Sequence, residues 1–139
     1  MKILVIDNTE HLATLFDFDA DVRYCSNEIQ ALNAAEHFQP ELIFLNYVVR
    51  GERTPEYIPL LLRVCNDSKL VVIGNNMSDD EICRCLLTGA KGYQDIKQLP
   101  DYMKKLIQAV GKGEAWINRK MVTRILELIR SLNIQPVVA

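Results

Sequence analysis

Two short apolar runs constrain this chain more than anything else in it: Ile3-Leu4-Val5-Ile6 and Leu70-Val71-Val72-Ile73. A strand with one wet face alternates apolar and polar residues. These runs put apolar side chains on both faces, which suits the middle of a parallel sheet covered above and below. Five strands are predicted: Lys2–Ile6, Asp21–Cys25, Leu42–Asn46, Lys69–Ile73 and a brief Gly92-Tyr93-Gln94.

Helix-period segments lie between them. Thr9–Phe18 has Asn8 or Thr9 as a candidate cap and places Leu12, Leu15 and Phe16 on one face. Asn27–Phe38 follows a capping Ser26 or Asn27 and stops at Pro40. Pro55–Asn66 opens with Pro in its first turn, where Pro is tolerated. Asp79–Leu87 has an acidic first turn, and Leu99–Val110 ends at Gly111. A last helix, Arg119–Leu132, carries Met121, Val122, Ile125, Leu128, Ile129 and Leu132. Strand and helix alternate five times, so the expected architecture is α/β: a doubly wound, five-stranded parallel sheet with right-handed crossovers. The chain divides into residues 1–112, one core, and a C-terminal extension over 113–139, with Gly111-Lys112-Gly113-Glu114 as the joint. In such sheets, sites form at the carboxyl ends of the strands. That directs attention to Asp7, Asn8, Asn46, Gly74 and Ile96.

Several function classes are disfavoured. A net charge of -2 gives no field to recruit nucleic acid. No apolar run approaches the roughly 18 residues a membrane span needs, and Lys2–Ile6 is too short for a signal-peptide core. A cytoplasmic location is expected. Cys25, Cys65, Cys83 and Cys85 then stay reduced. Cys83 and Cys85 sit two apart on a helix, facing different ways, with no further ligand nearby. Asp7-Asn8-Thr9-Glu10-His11 contains no Gly, so no phosphate-cradling loop follows the first strand. Arg119, Lys120 and Arg124 are read as a solvated face. The apolar stripe of the last helix is open to three uses: packing back, pairing with a second copy, or carrying a following domain.

The residues also point to a family. Ile3-Leu4-Val5-Ile6-Asp7-Asn8 resembles the opening strand of a response-regulator receiver domain, which normally ends in two acidic residues. Pro40-Glu41-Leu42-Ile43-Phe44-Leu45-Asn46 resembles the third strand, which normally ends in the phosphoacceptor Asp. Gly89-Ala90-Lys91-Gly92-Tyr93 resembles the start of the fifth. The tail from Ala109 to Ile117 is similar to the NarL/LuxR-type branch, where such a segment leads into a linker helix. The resemblance covers about residues 1–130. It implies the flavodoxin-like (βα)5 receiver fold followed by that helix.

A working receiver crowds three carboxylates at the strand ends to hold Mg²⁺. One of them attacks a phosphoryl group and forms an acyl phosphate. A hydroxyl residue and a Lys stabilise the phosphoryl oxygens, and an aromatic shifts to report the charge. Carried onto this sequence, the first acidic position is Asp7 and the second is Asn8. The phosphoacceptor position is Asn46, whose amide cannot form an acyl phosphate by this route. The hydroxyl position falls on Gly74, next to Asn75, and the Lys position on Ile96, with Lys97 one residue late. Arg50 replaces the usual Pro of the acceptor loop. Only Asp7 and the switch-type aromatic, Tyr93, match.

The resemblance therefore implies a pseudo-receiver in two-component-like signal transduction, with a degenerate phosphorylation pocket, no catalytic residue, no metal and no cofactor. Asp7 is expected to cap the following turn through amides near Thr9 and Glu10. Asn46 is expected to hold its neighbouring loop, and Tyr93 to be fixed. The implied partner is a protein or a second copy, through the face around Tyr93 or through the 119–132 helix. Output would be transcriptional, through a DNA-binding domain beginning near where this chain stops. Direct contact with nucleic acid or membrane is not expected. Two other readings use the same fold: a small-ligand sensor lined by Asn8, Asn46, Asn75 and Asn76 against Ile96, and a nucleotide-binding enzyme.

Overall fold

The computed structural model describes residues 1–16 and 21–132. The strands are β1 (Lys2–Ile6), β2 (Asp21–Cys25), β3 (Leu42–Asn46), β4 (Lys69–Gly74) and β5 (Gly92–Asp95). The helices are α1 (Glu28–Phe38), α2 (Thr54–Val64), α3 (Asp79–Leu87), α4 (Leu99–Gly111) and α5 (Arg119–Ser131). The strands form one parallel sheet in the order β2-β1-β3-β4-β5, the expected doubly wound arrangement. Among the described residues no helix is long and apolar enough to cross a membrane.

The two apolar runs become central strands because both their faces are covered. Leu4, Ile6, Ile43, Leu45, Leu70 and Val72 pack on one side against Ala31, Ala35 and Phe38 of α1 and Ile58 and Leu61 of α2. Ile3, Val5, Leu42, Phe44, Val71 and Ile73 pack on the other, against Leu12, Phe16 and the Leu99, Met103, Leu106 and Val110 stripe of α4. All twelve strand side chains are fully buried, so a polar residue at any of them would be left unsolvated. Side-chain caps start three of the helices. Asn27 accepts from the amides of Ile29 and Gln30, Ser78 and Glu81 form a capping box, and Asn118 accepts from Met121. All four cysteines are free thiols. Cys83 and Cys85 face different clusters, as their spacing requires.

The first crossover departs from expectation. In place of a helix over Thr9–Phe18, the described residues form a tight turn followed by a single 3-10 turn over Ala13–Leu15; Phe18 lies outside them. The reason is Asp7. Its carboxylate accepts from the Thr9 amide and hydroxyl and from the Leu12 amide, and Glu10 takes a left-handed φ of 65°. Side-chain capture of backbone amides competes with helix formation, and a left-handed residue does not propagate a right-handed helix. Elsewhere the element ends move by a residue or two, with β4 and β5 reaching Gly74 and Asp95.

The basic residues of α5 do more than was expected of them. Lys120 Nζ lies 3.5 Å from Asp79 Oδ2, and Arg124 Nη2 lies 3.0 Å from Asp80 Oδ1. Both side chains stay exposed, as a solvated face requires, and from that face they also reach the acidic first turn of α3. Beside them Met121 is buried against Ile82 and Cys83. Of the three uses open to this apolar stripe, packing back accounts for its N-terminal half.

The segment before α5 protects the edge of the sheet. Trp116 makes a parallel bridge to Gly92, donating its amide to Lys91 O and accepting from the Tyr93 amide. Its indole N–H donates to Gln94 Oε1 at 2.9 Å. An unpaired strand edge is otherwise a template for association. The approach is close enough that a Cβ on Gly92 would sit 2.5 Å from the Trp116 carbonyl oxygen. Gly92→Ala should therefore lower stability by about 1–3 kcal/mol. Urea titration followed by the fluorescence of Trp116, the only tryptophan, would show this as an earlier midpoint and a red-shifted native spectrum. Unchanged midpoint and spectrum would mean the edge contact is dispensable.

Candidate functional site: the strand-end cluster

Register places the sequence-predicted residues at one end of the sheet. Ile6 lies opposite Leu45, Asn46 opposite Ile73, and Gly74 opposite Asp95. Asp7 and Asn46 thus emerge side by side from β1 and β3. The strand order reverses there, and such a point opens a crevice in doubly wound sheets.

Asp7 and Asn46 bond directly. The Asn46 amide nitrogen donates to Asp7 Oδ1 at 2.9 Å, and its Oδ1 accepts from the Val48 amide at 3.2 Å. Asn46 is 3% exposed, so both ends of its amide are satisfied inside the protein. Asp7 Oδ1 also receives the Thr9 hydroxyl at 2.7 Å and the Thr9 amide at 3.0 Å, and Oδ2 receives the Leu12 amide at 3.0 Å. The expected cap is present, with Leu12 in place of Glu10. Partial burial alone would push the Asp7 carboxyl up. The hydrogen bonds from Thr9, Leu12 and Asn46 outweigh it and hold the group below the usual carboxylate range.

The other positions share this end of the sheet but join no common chemistry. Asn8 is exposed. Gly74 is buried, and a Cβ there would lie 2.3 Å from Met77 Sδ. Met77 therefore fills the space of the missing side chain. Ile96 is half-buried against the α4 side of the core, and its amide donates to Gly74 O at 2.9 Å. β5 stops at Asp95, and Lys97 is exposed beyond it. The Tyr93 hydroxyl donates to Gly74 O at 3.5 Å, and burial, with Asp95 adding to it, pushes its pKa up to about 12. Arg50 bonds Glu28 at 3.2 Å and lies over the Tyr57 ring, tying the loop after β3 to α1.

Two contributors were not foreseen. Asp95 accepts from the amides of Lys97 and Asn76, which ends β5 and holds the loop after β4. The signal was an Asp two residues before Lys97 at a strand end, an Asx-turn pattern. Met77 was not singled out because nothing in the sequence says which long side chain will cover a glycine.

The donor set does not fit Mg²⁺. That ion wants near-octahedral oxygen coordination with carboxylates among the ligands. Among the described residues one carboxylate lies here, its oxygens already taking four hydrogen bonds, and the Asn46 side chain beside it offers an N–H. Among the described residues no three His, Cys, Asp or Glu side chains converge.

Neither a family model nor a curated protein matches the sequence. Solved structures do match. A two-component response regulator of the LuxR family from Aurantimonas sp. SI85-9A1 aligns over 91% of this chain and 96% of its own, with a TM-score of 0.75 and 13% identity. The isolated receiver (REC) domain of RcsB from Salmonella enterica serovar Typhimurium, in the apo form, aligns over 91% and 98%, with a TM-score of 0.74 and 15% identity. This chain has the receiver-domain fold. A longer RcsB response regulator, whose structure concerns conformational dynamism for DNA interaction, aligns over 94% of this chain and 67% of its own, with a TM-score of 0.72 and 15% identity. The receiver fold thus accounts for the strand order and for the crevice at Asp7 and Asn46. The residues in that crevice are this chain's own.

The lowered Asp7 pKa carries a sign. A group whose folded pKa lies below its unfolded value, about 3.9 for Asp, adds stability above that value. The contribution is lost as pH falls through the folded pKa. Asp7→Ala should cost about 2 kcal/mol at pH 7, and the gap should narrow toward pH 2. Urea unfolding at several pH values would show it; a gap independent of pH would remove the charge from the explanation.

Proposed function

We propose that this chain is a signalling module that uses the receiver fold without phosphorylation, docking to a protein partner or a second copy. We further propose that its output is transcriptional, through a DNA-binding domain outside these residues, and we assign it no catalysis. The Asp7–Asn46 hydrogen bond carries the reading. An amide at the acceptor position cannot form an acyl phosphate, and this amide has both its groups engaged. Met77 over Gly74 and Ile96 at the lysine position add support, since neither can stabilise a phosphoryl oxygen. Tyr93 is half-buried in two apolar clusters with Met77, which supports a fixed aromatic over one that toggles. The transcriptional part rests on the likeness to the LuxR-family regulator and to RcsB.

The test is a phosphoryl mimic. Purified protein is incubated with Mg²⁺ and beryllofluoride, and melting temperature and mass in solution are followed. The expected result is no change in either. A rise of several degrees or a new oligomer that needs both reagents would mean another carboxylate serves as acceptor and would overturn the reading.

A further inference from the structure

Part of the surface next to Tyr93 is covered by the chain itself. Helix α5 lies on α3, with Met121 and Ile125 against Ile82, Cys83, Met77 and Tyr93. Asp79 and Asp80 rim this surface and meet Lys120 and Arg124. The two surfaces the sequence offered for docking, the Tyr93 face and the last helix, are therefore the two sides of one contact. Each covers part of the other: Tyr93 stays half-buried, and Val122 and Leu126 stay exposed.

That contact has a readable code. In Lys120-Met121-Val122-Thr123-Arg124-Ile125, a basic residue followed by an apolar one occurs twice, four residues apart. This spacing puts both pairs on one side of a helix. The apolar members enter the cluster and the basic members reach the acidic first turn of α3.

The hold is light. Met121 is the only buried residue of α5. Val122, Leu126 and Leu132 are 45%, 49% and 61% exposed. The ion pairs are solvent-facing, and such pairs contribute little. By contrast, the segment just before α5 is pinned to β5 through Trp116. The body of the fold therefore ends near Ile117, and α5 is an addition to it.

We propose that the α3–β5 face is a helix-binding site, that α5 occupies it in cis, and that its partner is an amphipathic helix repeating the basic–apolar pairs of α5. This deepens the docking function proposed above and rests on it. A partner helix would compete with α5, and displacing α5 would expose its apolar stripe as well. Charge selects the class of partner: Asp79 and Asp80 favour a basic helix and repel an acidic one.

Cys83 reports on the site. It is 1% exposed and belongs to the cluster α5 covers, while Cys65 and Cys85 lie in the main core. In the full chain carrying Lys120→Glu and Arg124→Glu, α5 should lift. Maleimide labelling mapped by mass spectrometry should then be at least tenfold faster at Cys83, with Cys65 and Cys85 still protected. A labelled synthetic peptide of residues 118–132 should bind this variant at least tenfold more tightly than the parent, and more weakly in high salt. Should the double variant unfold, shown by labelling of Cys65 and Cys85, Arg124→Gln takes its place with the same two readouts, each moving in the same direction by about two- to fivefold, as loss of one exposed pair allows. Unchanged Cys83 protection in a folded variant, or a peptide that binds neither protein or both equally, would overturn the proposal. Failure here with no beryllofluoride response leaves the phosphorylation-independent reading intact; a beryllofluoride response removes that reading whatever the peptide does.

Discussion

The hydrogen bond from Asn46 to Asp7 joins the neighbouring strands β1 and β3 where their chains leave the sheet, and the local structure follows from it. With a carboxylate at residue 46, two negative charges would face each other across about 3 Å in a half-buried crevice, a geometry that needs a cation or a shared proton to persist. With an amide, one side donates and the other accepts. Asp7 can then keep its charge and gather the amides of Thr9 and Leu12. That capture replaces the expected first helix with a turn and sends Leu12 and Phe16 into the core beside Phe44. One amide thus bears on charge, backbone path and packing together.

The other strand-end changes fit the same economy of charge. A lysine at residue 96 would face one carboxylate already held by four hydrogen bonds. Ile96 joins the apolar cluster under α4 instead. Residue 74 carries no hydroxyl, and Met77 takes the volume that a side chain there would fill. The crevice that the fold provides is filled from within the chain. Beside it, α5 covers part of the surface next to Tyr93.

Much of the fold was legible because it depends on patterns that survive any tertiary detail. Unbroken apolar runs at Ile3–Ile6 and Leu70–Ile73 cannot be half-exposed strands, and they became central ones. Caps at Asn27 and Ser78 marked helix starts by local chemistry alone. The first crossover was misread because Leu12, Leu15 and Phe16 carry a helical period that a carboxylate five residues upstream overrides. Period says which side chains are buried, and here they are, but it does not say that the backbone between them is helical. At the site, the positions of Asp7, Asn46, Gly74 and Ile96 followed from strand ends. Met77 and the α5 ion pairs did not, since they depend on which surfaces meet after folding. A basic residue on an amphipathic helix looks the same in sequence whether it faces water or Asp80.

The account stands on Asn46 and Asp7 forming a bridge that an acidic pair could not. The most direct test is the stability of Asn46→Asp between pH 4 and pH 7 without added metal. Two adjacent carboxylates raise the pKa of one of them in the folded state. A group raised in this way supports the fold below its unfolded pKa and loses that support as pH rises through the folded value. The predicted result is a variant close to the parent at pH 4 and less stable by about 2 kcal/mol or more at pH 7, with the deficit growing as pH rises. A variant as stable as the parent at pH 7 would contradict the account.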